Sequence, residues 1–177
     1  MSQLPYKIAV LVYVFNDQGK MLLLHRLKSP NQGLYSPIGG KLEMAIGESP
    51  YACALREIHE EIDIPLAPAD IRLVGMVSER AFEGQTHWLM FCFEVIRPLN
   101  FPGRDMNEGR LEWIDPVQML KLPIPDTDRQ IIWPLVQQHS WGLNPTQRGQ
   151  ESVFSVHIDC TDHPRLQATI EHPLPPK

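Results

Sequence analysis

Two short stretches near the start of the chain are dense in apolar and β-branched residues. Residues 7–15 read as a buried strand and 20–24 as its return, with Asn16-Asp17-Gln18-Gly19 as the turn of a hairpin. Residues 25–35 are polar and predict a loop running to the pair Gly39-Gly40. Further strands are expected at 71–78 and 87–96, joined by a loop over 79–86, with a short strand at 110–114 after the loop 98–109. Asp115-Pro116 marks a short helix toward Leu120, and a second helix starts near Asp126 or Thr127 and reaches about His139. Strands alternating with spaced helices predict an α/β domain whose mixed sheet is covered by helices on both faces. Residues 1–140 form the expected main domain. Residues 141–177 alternate apolar and polar positions over 152–160 and again over 165–171, a C-terminal β-hairpin extension that extends the sheet or exchanges with another subunit.

The helical pattern is strongest at 50–62. Ser49 suits the N-cap and Pro50 the first helical position, where its missing N–H is not needed. Tyr51, Leu55, Ile58 and Ile62 form an apolar stripe, and Pro65 stops continuation. Glu57, Glu60 and Glu61 stand in the i, i+3, i+4 relation and project from one face beside the glycine pair. A solvated acidic face is the ordinary explanation of such a triplet. Three like charges on one face also call for a hard cation, which prefers carboxylate oxygens. Arg56, four residues before Glu60, is expected to hold a carboxylate in place by a bidentate pair.

Gly40 … Glu48 … Arg56-Glu57-Ile58-His59-Glu60-Glu61-Ile62-Asp63-Ile64 resembles the Nudix box, G-x5-E-x7-R-E-U-x-E-E-x-G-U with U aliphatic, over residues 40–64. Two departures stand out. Seven residues instead of five separate Gly40 from Glu48, an insertion within Met44-Ala45-Ile46, and Asp63 replaces the last glycine. Glycine after a helix usually supplies a left-handed cap, a conformation Asp tolerates better than most. The resemblance implies an α/β/α sandwich that hydrolyses a nucleoside diphosphate linked to another group, by attack of water at phosphorus. It implies Glu57, Glu60, Glu61 and the Gly40 carbonyl as ligands of Mg2+, with Mn2+ an active substitute. Glu57 and Glu108 are both candidates for the general base; Asn107-Glu108-Gly109-Arg110-Leu111-Glu112-Trp113 is similar to a late glutamate segment of MutT-type enzymes, one residue shorter.

Arg26 ends the second predicted strand, and similar enzymes place an arginine there against substrate phosphates; Lys28 is a second candidate. Tyr35 and Trp88 are candidates to stack on a base, and Asp126 or Asp128 to read its edge, although an N-cap for the last helix is the simpler role for the aspartate. The segments around 25–41, 87–91 and 108–126 resemble MutT-related hydrolases of oxidised purine nucleoside triphosphates. The expected activity is therefore hydrolysis of a nucleoside triphosphate to monophosphate and pyrophosphate. ADP-ribose, a nucleotide sugar or a dinucleoside polyphosphate is the alternative, and a non-catalytic nucleotide-binding regulator a further one.

Composition narrows the partners. The 177 residues are 21% charged and 43% hydrophobic, ordinary for a globular domain. A net charge of −5 lacks the basic stripe of a nucleic-acid-binding surface. Three cysteines without metal-type spacing fit a reducing compartment, and no apolar run approaches membrane-spanning length. The expectation is a cytoplasmic enzyme with a nucleotide substrate, no nucleic acid or membrane partner, and a possible homodimer through the C-terminal extension.

Overall fold

The computed structural model describes residues 3–29, 31–150 and 152–173. In chain order the elements are β1 (Tyr6–Tyr13), β2 (Met21–Arg26), β3 (Tyr35–Ser36), α1 (Pro50–Ile62), β4 (Ile71–Phe82), β5 (Thr86–Val95), β6 (Arg104–Asp105), β7 (Gly109–Ile114), α2 (Trp133–His139), β8 (Phe154–Asp159) and β9 (Gln167–His172). The strands form a five-stranded mixed sheet in the order β1-β5-β4-β8-β9 and a four-stranded antiparallel sheet in the order β3-β2-β7-β6. Bridges from Ala9 to Lys41, Val12 to Ile38 and Phe15 to Met21 tie β1 to the segment ahead of α1 and to β2.

The period of two in β1 sorts its side chains between two cores. Val10, Val12 and Val14 join Leu22, Leu24 and Phe93 beneath α1, which contributes Cys53, Ala54, Ile58 and Ile62. Leu11, Tyr13 and Phe15 face the other way and join Val77, Cys92 and Phe154 beneath Ile132, Trp133 and Val136 of the last helix. The layers are the expected helix, sheet and helix.

The structure moves several boundaries. β2 runs on to Arg26 and β3 forms inside the expected polar loop, because β7 supplies a partner for each residue of β2. β4 continues to Phe82, so its hairpin with β5 is tighter than anticipated. The buried face of α1 is also rotated: Tyr51 stays 42% exposed, its ring edge-on to Phe93 at 4.8 Å, while Cys53 and Ala54 are fully buried. That rotation carries Glu61 inward. The last helix is composite, a π-type turn over Asp128–Ile132 leading into α2.

The C-terminal hairpin extends the five-stranded sheet within the same chain, β8 lying parallel to β4. Phe154, Val156 and Ile158 enter the α2-side core. The link is fastened by Glu94, which accepts from Ser140 Oγ at 2.8 Å and from the Trp141 N–H at 3.0 Å while pairing with Arg72 at 2.9 Å.

Candidate active site

Local chemistry sets the start and end of α1. Ser49 Oγ accepts the Ala52 N–H at 3.2 Å and Pro50 opens the helix. At the far end Asp63 adopts the left-handed conformation (φ 57°, ψ 35°), its N–H bonded to the His59 carbonyl at 2.9 Å, so it fills the glycine's place as cap.

Arg56 organises the acids, by the bidentate contact expected of it. Its bidentate pair is with Glu48, Nε to Oε1 at 2.8 Å and Nη2 to Oε2 at 3.0 Å. Nη1 meets Glu57 Oε1 at 2.7 Å and reaches Glu60 Oε2 at the longer 3.2 Å, while Nη2 also donates to the Lys41 carbonyl at 3.1 Å. Glu60 sits too far out to take both guanidinium faces; its side chain is 57% exposed. The arginine holds the Glu48 carboxyl down at about 2. The inserted residues do not disturb this contact. Met44–Ile46 form a single 3-10 turn closed by left-handed Gly47, with Met44 and Ile46 exposed, and the Glu43 N–H donates to Glu48 Oε2 at 2.8 Å across its base.

Gly40 lies against the same carboxylates. A Cβ there would stand 2.1 Å from Glu57 Oε1, so only glycine lets the carboxylate reach this close. The Gly40 carbonyl accepts the Val10 N–H at 2.8 Å. Glu61 is buried behind Gly39, whose N–H it accepts at 3.4 Å, and its Oε2 has no hydrogen-bond partner. Burial pushes the Glu61 carboxyl up to about 8 and raises that of Glu57 as well. Among the described residues no three acids, histidines or cysteines converge into a ready-made cage; the Arg56 guanidinium stands among the carboxylates instead. An orphaned buried carboxylate oxygen and a backbone opened by glycine nevertheless fit a hard divalent cation.

These groups flank a groove of about 460 Å³. Arg26, Lys41, Glu57, Glu60 and Glu108 line it on the β1 and Gly40 side; the floor is the face of the large sheet bearing Ala9, Leu11, Trp88 and Met90; Glu79, Thr127 and Asp128 line it on the β4 side. Arg26 and Glu108 meet at 3.2 Å, because β2 and β7 pair Arg26 with Gly109.

Other anticipated residues fall outside that lining. Lys28 is exposed. Tyr35 stacks on His25 at 4.4 Å and its hydroxyl donates to Glu112 at 3.4 Å. Asp126 pairs with His163 at 3.1 Å and borders an adjoining cavity of about 600 Å³, walled by the loop of the C-terminal hairpin. Two residues have roles the sequence reading did not assign. Glu48, a residue of the box, is the arginine's anchor. Glu79 was assigned to a loop; its signal was an acid two residues beyond Val77, on the inward face of a strand that does not stop at Ser78.

A NUDIX domain model matches residues 5–133. The chain belongs to the Nudix hydrolase family. This Nudix hydrolase is 31% identical over 134 residues to an RNA pyrophosphohydrolase of Gluconobacter oxydans, a match spanning 66% of the chain and 76% of the relative. Its fold superposes on a MutT protein from Bacillus halodurans with a TM-score of 0.69 at 22% identity, covering 96% of this chain and 99% of the other, and so reaching into the C-terminal hairpin. The NUDIX domain of Shewanella oneidensis NrtR, solved in complex with ADP ribose, gives a TM-score of 0.60 at 17% identity over 78% of this chain and 89% of that one. Nudix hydrolases generally use divalent metals. No helix among the described residues is long and apolar enough to cross a membrane.

Proposed function

We propose that this Nudix hydrolase cleaves a nucleoside triphosphate to monophosphate and pyrophosphate, with Mg2+ or Mn2+ held by Glu57, Glu60, Glu61 and the Gly40 carbonyl. The observation that carries the reading is the polarity of the groove: cationic and carboxylate groups on one side, an apolar sheet floor beyond them. The cation would offset phosphate charge and make a bound water more acidic. Arg26 and Lys41 are placed to meet the polyphosphate, the guanidinium by a bidentate contact an ammonium cannot make. Arg56 restrains Glu57 and keeps it beside Gly40. Glu108, at the groove's open edge and tethered by Arg26, is placed to take a proton from an attacking water; Glu57 is the alternative base. The flat apolar floor of Leu11, Trp88 and Met90 suits a base, and Asp128, rather than Asp126, lines the groove beside it.

The relative from Gluconobacter oxydans favours a second reading in which the triphosphate is the 5′ end of an RNA. One experiment separates the possibilities. Purified protein with Mg2+ is offered ordinary and 8-oxo purine nucleoside triphosphates, a 5′-triphosphorylated oligonucleotide, ADP-ribose and a dinucleoside polyphosphate, and the products are identified. Release of pyrophosphate from nucleoside triphosphates is expected. Turnover of ADP-ribose with the triphosphates left intact would reject the leading substrate, and cleavage of the oligonucleotide alone would select the second reading.

A further inference from the structure

Glu79 takes no part in the chemistry above, yet it is the most unusual acid on the β4 side of the groove. It sits in the middle of the large sheet, on β4 opposite Trp88 of β5, and is only 3% exposed. One carboxyl oxygen is engaged by the Thr127 side chain; Oε1 is buried without a hydrogen-bond partner, and the residue lines the groove. A buried polar atom left without a partner is unfavourable, so a bound group that satisfies it gains by doing so.

We propose that Glu79 is a specificity-determining residue, giving a hydrogen bond from the sheet floor to an acceptor atom on the edge of a purine-type base. The inference rests on the groove being a nucleotide site. A carboxyl can donate only in its neutral form, and the surroundings favour that form. Burial raises the group to about 8, and the nearby charge of Asp128 has the same sign. Asp128 is itself raised by burial to about 7. Neither acid welcomes a phosphate, so the polyphosphate is directed to the Arg26 side and the ring to the Trp88 and Met90 floor. A purine carries ring-nitrogen or carbonyl acceptors on its edge, which Glu79 as a donor can read. A buried neutral carboxyl also discriminates sharply, because an analogue lacking the acceptor leaves the donor unpaired.

The test is a cycle between protein and ligand. Affinities for guanosine monophosphate, 7-deazaguanosine monophosphate and 2-aminopurine riboside monophosphate are measured by quenching of tryptophan fluorescence, for the wild type, Glu79→Gln and Glu79→Leu. The first analogue deletes the N7 acceptor; the second deletes the carbonyl acceptor and turns N1 from a donor into an acceptor. One deletion is expected to weaken wild-type binding about tenfold or more. That loss should persist in Glu79→Gln, whose amide still donates, and vanish in Glu79→Leu. Equal binding of all three ligands by the wild type, or an undiminished preference in Glu79→Leu, would overturn the assignment. Should Glu79→Leu fail to fold, Glu79→Met, whose side chain also lacks a donor, makes the same comparison. Because binding of monophosphates is read without turnover, a failed triphosphate assay and a failed base reader give different results.

Discussion

Arg56 concentrates four separate tasks in one guanidinium, and Glu48 supplies two of its hydrogen bonds. Replacing Glu48 by Gln should lower stability by about 1–3 kcal/mol, the usual cost of leaving a largely buried charged donor short of an acceptor, and should slow turnover because Glu57 loses its restraint. Thermal melts and initial rates check the two effects. Gly40→Ala is expected to keep the fold and lose activity by a factor of about 100, since a methyl group 2.1 Å from Glu57 Oε1 must push that carboxylate aside. Glu79 gives a pH signature. Its folded-state pKa of about 8 lies above the ordinary 4.5, so its contribution is fully favourable below 4.5 and is lost as the pH rises to about 8. The slope over that window approaches about 1.4 kcal/mol per pH unit for such a group. Asp128 acts in the same direction over a lower range, to about 7. Denaturant melts between pH 5 and 9 should show stability falling with pH, and less steeply in Glu79→Leu.

At the level of elements, the C-terminal hairpin belongs to the sheet. Ending the chain at Gln150 would remove Phe154, Val156 and Ile158 from the core and strip β4 of its parallel partner. The truncated chain is expected to be insoluble or to melt many degrees lower, which expression and calorimetry would show. A smaller probe is Gly75→Ala. Its methyl group would lie 2.4 Å from the Phe154 ring, and overpacking of this kind costs about 1–3 kcal/mol. Such contacts also show where sequence reading ends. The span of α1 was legible because Ser49, Pro50 and Asp63 are local signals that need no partner. The alternation of β8 and β9 was legible too, but not where they would pair. The strand end at Arg26 depends on Gly109, about 80 positions away, and no local pattern reports that pairing, whereas Phe82 pairs with Thr86 across its own hairpin. In the same way the carboxylates of α1 could be found by spacing, whereas the preference of Arg56 for Glu48 required a loop to bring the two together.

Viewed whole, the groove has an electrostatic problem. Arg26 and Lys41 face Glu57, Glu60 and Glu108, on a chain of net charge −5. An anionic nucleotide approaches an acidic cleft unless bound cations reverse its sign. Chelation should therefore remove binding as well as turnover: affinity for a non-hydrolysable triphosphate analogue is expected to fall at least tenfold in EDTA. Conversely, millimolar Mg2+ should raise the melting temperature by mass action, and do so less in a Glu60→Gln, Glu61→Gln double variant. Unchanged nucleotide affinity without metal would count against the cation site.

The bulge at Met44–Ile46 has a practical use. Its two ends are already stapled, the Glu43 N–H to the Glu48 carboxylate and Glu48 to Arg56 through the ion pair. It is a natural splice point: a peptide tag, a fluorophore site or a lanthanide-binding loop grafted there would hang in solvent a few residues from the carboxylates and report on their occupancy without rebuilding them.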